Sequence, residues 1–158
     1  MKVENETQKI ETQKIDLLAA AKLFSEGKSL GDAIGVSQGF KDSLYSIAVV
    51  DYEAKRYDRT LQGLKLLVIL DQNKADYWAL MGNALKDLGL YLEAITAWNM
   101  AMGLAPQFKT AMVIARVAVA IKDKDWAREG LMMSLAHLKN NPKDREDYRK
   151  LLEAYEAF

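Results

Sequence analysis

The stretch "YWALMGNALKDLGLYLEAITAWNMAMGLAP", Tyr77 to Pro106, decides how the chain is read. Apolar residues recur three and four apart on either side of "DLGLY", which predicts two amphipathic helices joined by a short turn. Small residues stand at fixed places in them (Gly82, Gly89, Ala94, Ala101), interleaved with the large Trp78, Tyr91 and Trp98. Two helices that cross closely need this alternation. A small residue on one leaves room for a ring from the other, because interiors pack without voids.

The spacing matches the tetratricopeptide pattern of about 34 residues, W-x2-L-G-x2-Y followed by A-x3-F, A and P. With a repeat starting at Ala75, Trp78 takes position 4, Met81 position 7, Gly82 position 8 and Leu85 position 11. Ala94, Trp98, Ala101 and Pro106 take positions 20, 24, 27 and 32. A copy starting at Lys41 puts Leu44, Ile47, Ala48, Leu64 and Leu67 on signature places, with Thr60 for the usual alanine. A third copy starting near Thr110 uses Val113, Val117, Trp126, Met133 and Ala136, but Arg116 and Glu129 fit positions 7 and 20 poorly. One good copy and two degenerate ones reach the minimum of about three for a stable stack.

The expected fold is therefore all-α, a tetratricopeptide-repeat superhelix with capping helices at both ends. Helices are expected at 39–54, 57–70, 75–88, 91–104, 108–122, 125–139 and 143–157. Asn73 with Asp76 reads as a cap pair for the third of these, Pro106 stops the fourth, and Asn141-Pro142 reads as a cap with a first-turn proline. "GKSLGDAIGVSQG" (Gly27 to Gly39) reads as a loop with room for one helical turn, and Gly27 as the end of an amphipathic helix begun by "IDLLAAAKLF" from Ile15. The chain divides into a flexible segment 1–14, holding the direct repeat "ETQKIETQKI", an N-terminal helix and loop 15–38, three repeats 39–142 and a capping helix 143–158.

Composition narrows the function. The 22 basic residues balance 22 acidic ones, so no global attraction to nucleic acid or to a membrane surface is expected. Cysteine is absent and there is one histidine, His137, which excludes thiol chemistry and argues against a metal site. The longest apolar run, Ala111 to Ile121, is too short for a membrane span and is broken by Arg116. No phosphate loop follows a strand, and "KDREDYRK" (Lys143 to Lys150) reads as a solvated, ion-paired helix face. No cofactor, metal or catalytic residue is expected.

In such a stack the first helix of each pair lines the concave side, at positions 2, 5, 9 and 12. These are Tyr45, Val49 and Tyr52 in the first copy and Asp76, Ala79, Asn83 and Lys86 in the second. The third supplies Ala111, Ile114, Ala118 and Ile121. A groove with tyrosines at one end, a polar middle and small apolar residues at the other suits an extended peptide. It lacks a Lys/Arg clamp for a C-terminal carboxylate. A second reading of Tyr45 and Tyr52, as packing under the N-terminal helix, stays open.

"FSEGKSLGDAIGVS" (Phe24 to Ser37), "LYSIAVVDYEAKRY" (Leu44 to Tyr57) and "VILDQNKADYWALMG" (Val68 to Gly82) together resemble the class II chaperones of type III secretion, which hold hydrophobic translocators. The resemblance covers roughly Leu23 to Leu138. It implies a cytoplasmic bacterial protein, not an enzyme, whose groove takes an extended translocator segment of the P-x-L-x2-P kind and keeps that client soluble. It implies a peptide site at Tyr45, Val49 and Tyr52, extended by Leu70 and Gln72 at the junction of the first two repeats. It leaves a homodimer through the N-terminal helix open. The alternative is a repeat scaffold or co-chaperone that holds a structural partner in a larger assembly.

Overall fold

The computed structural model describes Lys22 and residues 26–157. The expected flexible segment 1–14, and all of the expected leading helix except Lys22, lie outside the described residues, as does any dimer contact made there. Eight helices follow: α1 (Leu30–Ala33), α2 (Gln38–Glu53), α3 (Tyr57–Leu70), α4 (Ala75–Asp87), α5 (Tyr91–Leu104), α6 (Phe108–Ala120), α7 (Lys124–Ala136) and α8 (Pro142–Glu156). No strand occurs among the described residues. The largest departure from the expected bounds is at α7, which stops at Ala136 because the chain turns at His137.

The helices pack as antiparallel pairs, α2 with α3, α4 with α5 and α6 with α7, each pair on the next, and α8 closes the end against α6 and α7. The same turn joins the two helices of every pair. Lys55, Gly89 and Lys122 adopt left-handed φ of 59°, 80° and 59°. The residue after each sends its N–H back to Asp51, Leu85 and Ala118, at 2.8, 2.9 and 2.9 Å. These are Schellman closures, which satisfy carbonyls that the helix end leaves free.

The closures fix the register and correct one expectation. Asp51, Leu85 and Ala118 are equivalent, so the third repeat begins at Phe108, two residues earlier than the expected start at Thr110. Ala127 then replaces Glu129 at the small-residue position, and Ile114 replaces Arg116 at position 7. Thr60, Ala94 and Ala127 occupy that small position in the three repeats and all are fully buried. The third copy is thus better formed than its sequence suggested.

The same register explains the small and large residues. A Cβ on Gly82 would lie 2.5 Å from two atoms of the Trp98 indole, so the ring of α5 lies flat on the bare backbone of α4. In the next pair both partners are small, and a Cβ on Gly130 would meet the Ala115 backbone nitrogen at 2.7 Å. Trp98, Ala94, Ile95, Ile114 and Ala118 form one core, and Leu64, Leu67, Tyr77 and Leu80 form another nearer the N-terminus.

Caps follow the sequence with one exception. Asn141 accepts the Lys143 N–H at 3.0 Å, with Pro142 in the first turn. Ser29 and Asp32 form a reciprocal capping box around the single turn of α1. Asn73 does not cap α4. Its own N–H donates to Asp71 at 3.2 Å, and Lys74 precedes the helix without a side-chain cap.

Candidate peptide-binding groove

The register puts equivalent residues of the three first helices in rows. Tyr45, Ala79 and Met112 form one row, Val49, Asn83 and Arg116 the next, and Tyr52, Lys86 and Val119 a third. Asp76 and Lys109 share an outer row.

Tyr45, Val49 and Tyr52 lie on α2, half-buried against the Tyr77 and Leu80 core. The Tyr45 and Tyr77 rings approach with centroids 5.2 Å apart at 42°, and those of Tyr52 and Tyr57 5.6 Å apart at 52°. Offset, tilted rings of this kind attract. The Tyr52 hydroxyl donates to Asp87 at 2.8 Å, and Lys86 reaches the same carboxylate at 2.8 Å. Tyr52, Asp87 and Lys86 thus form a polar chain from α2 to α4. Burial, then the bond to Asp87, pushes the Tyr52 phenol up to about 12. Burial and the Asp76 charge raise Tyr45 as well. Burial would raise the Asp87 carboxyl, but its bonds to Lys86 and Tyr52 outweigh that and hold it below its ordinary value.

The other expected residues divide. Ala79 is half-buried and leaves a shallow step between Tyr45 and Asn83. Asn83 faces both ways. Its oxygen accepts the Trp98 indole N–H at 3.1 Å, and an indole can only donate, so the Asn83 amide hydrogens point away to serve another acceptor. Gln72 is exposed, and its carbonyl accepts the Trp78 indole N–H at 2.8 Å.

Three expected positions offer no surface. Ile114 and Ala118 are fully buried in the core with Trp98 and Ala94, because the two-residue register change turns them inward. Leu70 is 7% exposed, covered by α1, whose Gly31 meets the Leu70 carbonyl so closely that a Cβ would stand 2.9 Å from it. In place of Ile114 and Ala118, α6 brings Lys109 and Arg116 to the rows, both exposed. The end expected to be apolar therefore carries two exposed cations beside half-buried Val119.

Sequence reasoning missed Lys41 and Asp71. The Lys41 side chain is 1% exposed, and its ammonium contacts Asp32 at 3.1 Å and Asp71 at 3.3 Å. Burial pulls its pKa down, but the two carboxylates outweigh burial and leave it above its ordinary value. Hydrogen bonds from Ser29 and Lys41 hold the Asp32 carboxyl low. This network ties α1 and α2 to the junction of α3 and α4, and so sets where the tyrosine-bearing helix stands. The only sign of it in the sequence is an aspartate between Leu70 and Gln72, inside the stretch that carries the resemblance.

No family model matches the chain, and no curated protein does. Solved structures do, and they define a class: the chain has the tetratricopeptide-type helical fold of type III secretion translocator chaperones. A type III secretion complex from Aeromonas hydrophila superposes with a TM-score of 0.75 at 18% identity, covering 89% of this chain and 94% of that one. The Yersinia enterocolitica chaperone SycD, bound to a peptide of the translocator YopD, gives 0.66 at 20% identity over 77% of this chain and 94% of its own. PcrH of Pseudomonas aeruginosa, in complex with the chaperone binding region of PopD, gives 0.65 at 22% identity over 78% and 93%. No helix among the described residues is long and apolar enough to cross a membrane.

Proposed function

We propose that this chain is a non-enzymatic chaperone that holds an extended segment of a hydrophobic type III secretion translocator. It keeps that client soluble and competent for export in the bacterial cytoplasm. It works by binding and shielding, without a nucleotide cycle. Three repeats over 39–142, closed by the helix from 143, form the body. The observation that carries the reading is the face built by α2 and α4. There, large side chains stay half-exposed because cross-helix contacts hold them: Tyr45 on Tyr77, and Tyr52 on Asp87. Apolar anchors of the client would sit against Tyr45, Val49 and Tyr52 and over Ala79. The Asn83 amide hydrogens and Lys86 would meet its backbone carbonyls. The peptide complexes of SycD and PcrH support the assignment by fold.

The test is a fluorescent peptide of P-x-L-x2-P type titrated against wild type, Tyr45→Ala/Tyr52→Ala and Ala79→Glu, with circular dichroism of each. Aromatic anchors commonly carry ~2 kcal/mol or more, so the double variant should bind well over tenfold more weakly. Ala79→Glu keeps both tyrosines and should weaken binding comparably by filling the step. Equal affinities among folded proteins would favour a repeat scaffold instead. That reading draws on the exposed Leu66, Ile69, Met100, Met132 and Leu135 of the second helices.

A further inference from the structure

The first-helix face ends in a cleft that the tyrosine site does not use. One cavity, of about 380 Å³, opens between α6 and the start of α8, with Lys109, Arg116 and Lys143 in its wall and Met112 at its base. A second, of about 520 Å³, opens beside His137 and Lys139 at the end of α7. The two share Phe108, Lys109 and Asp144, so they adjoin and are treated together as one cleft.

The charges in this cleft are unbalanced. Lys109, Arg116, Lys139 and Lys143 line it, and among the described residues none of the four makes an ion pair. Two carboxylates, Asp144 and Asp147, also line it. Asp144 lies in the first turn of α8, where the free amides of the helix end already stabilise it. Lys109 and Arg116 stand seven residues apart on one face of α6, about 10 Å at ~1.5 Å per residue. That is roughly the reach of three residues of extended peptide. Half-buried Phe108 adds an apolar surface beside them.

We propose that this cleft binds an acidic peptide segment, its carboxylates spaced about three residues apart and paired with Lys109 and Arg116, with Lys139 and Lys143 completing the positive wall. Four cations gathered around one concave site attract such a segment more strongly than scattered surface lysines do. Its role as the continuation of the client rests on the groove reading above. The acidic residues would therefore lie beyond the apolar anchors along the client. The charge preference of the cleft does not depend on that reading.

The experiment uses hexaglutamate carrying a neutral fluorophore, with hexaserine as control, followed by anisotropy on the full chain. Hexaglutamate should bind wild type at least tenfold more tightly than hexaserine and weaken as salt rises. Lys109→Glu/Arg116→Glu should lose at least tenfold. Lys109→Gln/Arg116→Gln should lose less, in the same direction. Both residues are exposed, so the thermal melts of these variants should match wild type. Ala79→Glu, at the tyrosine end, should leave hexaglutamate binding within about twofold of wild type. Equal binding of the two homopeptides, or a charge-reversed variant that binds like wild type, overturns the proposal. Either result leaves the P-x-L-x2-P titration free to support or sink the groove reading separately.

Discussion

Replacing Gly82 by alanine tests the packing on which the register rests. The new Cβ would stand 2.5 Å from both Cδ1 and Nε1 of Trp98, a ring that is 2% exposed and has nowhere to move. Overpacking of this kind costs ~1–3 kcal/mol. A shifted ring also loses its bond to Asn83, worth about 1 kcal/mol. Against this, alanine is favoured over glycine inside a helix by ~1 kcal/mol. The net expectation is a loss of roughly 1–3 kcal/mol, or a melting temperature lower by about 2–10 °C for a chain of this size. Gly103→Ala is the control. It lies in α5 with nothing within 4 Å of the new Cβ, so only the propensity gain remains and the sign reverses, by up to ~1 kcal/mol. Urea titration followed by tryptophan emission reads both, with the midpoint moving and the slope unchanged. A Gly82→Ala protein as stable as wild type, or more so, would refute the flat-ring contact and with it the pairing of Gly82 with Trp98.

Two further predictions concern charge. Asp71→Ala leaves the Lys41 ammonium, 1% exposed, with only the rim carboxylate of Asp32, and should cost about 3 kcal/mol in chemical denaturation, as breaking a buried pair does. Asp32→Ala, whose side chain is 44% exposed, should cost far less, and equal costs would dismiss the network as a structural tie. The Tyr52 phenol is raised from 10.0 to about 12, so the folded state holds its proton more tightly than the unfolded state does. Its contribution is complete below pH 10 and is lost as pH climbs from 10 through 12. Thermal melts across that window should fall more steeply for wild type than for Tyr52→Phe. Some slope should remain in the variant, from Tyr45, Tyr77 and Lys41, which are shifted in the same direction.

The second repeat was legible because it carries its own ruler: Trp98 needs a gap, and Gly82 supplies one sixteen residues away. The third had no such marker. From Ala111 to Ile121 nearly every residue is apolar, so periodicity cannot say which face points inward, and the turn that would fix the phase is closed by a lysine. Lys122 takes φ 59° where the preceding repeat uses Gly89 at 80°, and a left-handed lysine leaves no trace in composition. That ambiguity of two residues puts Ile114 and Ala118 on the surface when the sequence is read alone, and hides Lys109 and Arg116 from the first-helix rows. The polar network was illegible for another reason. Lys41 meets Asp71 across 30 residues and Tyr52 meets Asp87 across 35, and no local pattern announces a partner that far away. Asn73 reads as a cap because caps are local, but Asp71, two residues earlier, takes its amide.

The tyrosines illustrate why stability and binding cannot be separated in this face by deleting one residue. In a repeat stack each unit touches only its neighbours, and here α3 carries most of the contact between the first two pairs while α2 meets α4 at few points. Tyr45 on Tyr77 and Tyr52 on Asp87 are among them. Truncating either to alanine loosens α2 from α4 as well as emptying the face, and a binding loss alone cannot say which happened. The polar chain offers a cleaner cut. Tyr52→Phe keeps the ring, and with it any apolar contact to a ligand, while releasing Asp87 to Lys86 alone. If the ring is what a peptide uses, Tyr52→Phe binds like wild type and melts lower. If the Asp87–Lys86 pair must be held for Lys86 to reach a peptide carbonyl, affinity falls with it. A ligand laid across α2 and α4 also bridges the two helices, so at a hundred times its Kd it would return about 2.7 kcal/mol to the folded state. That recovery would be nearly the same in Tyr52→Phe and wild type only in the first case. Melting with and without peptide therefore separates the two roles where alanine cannot.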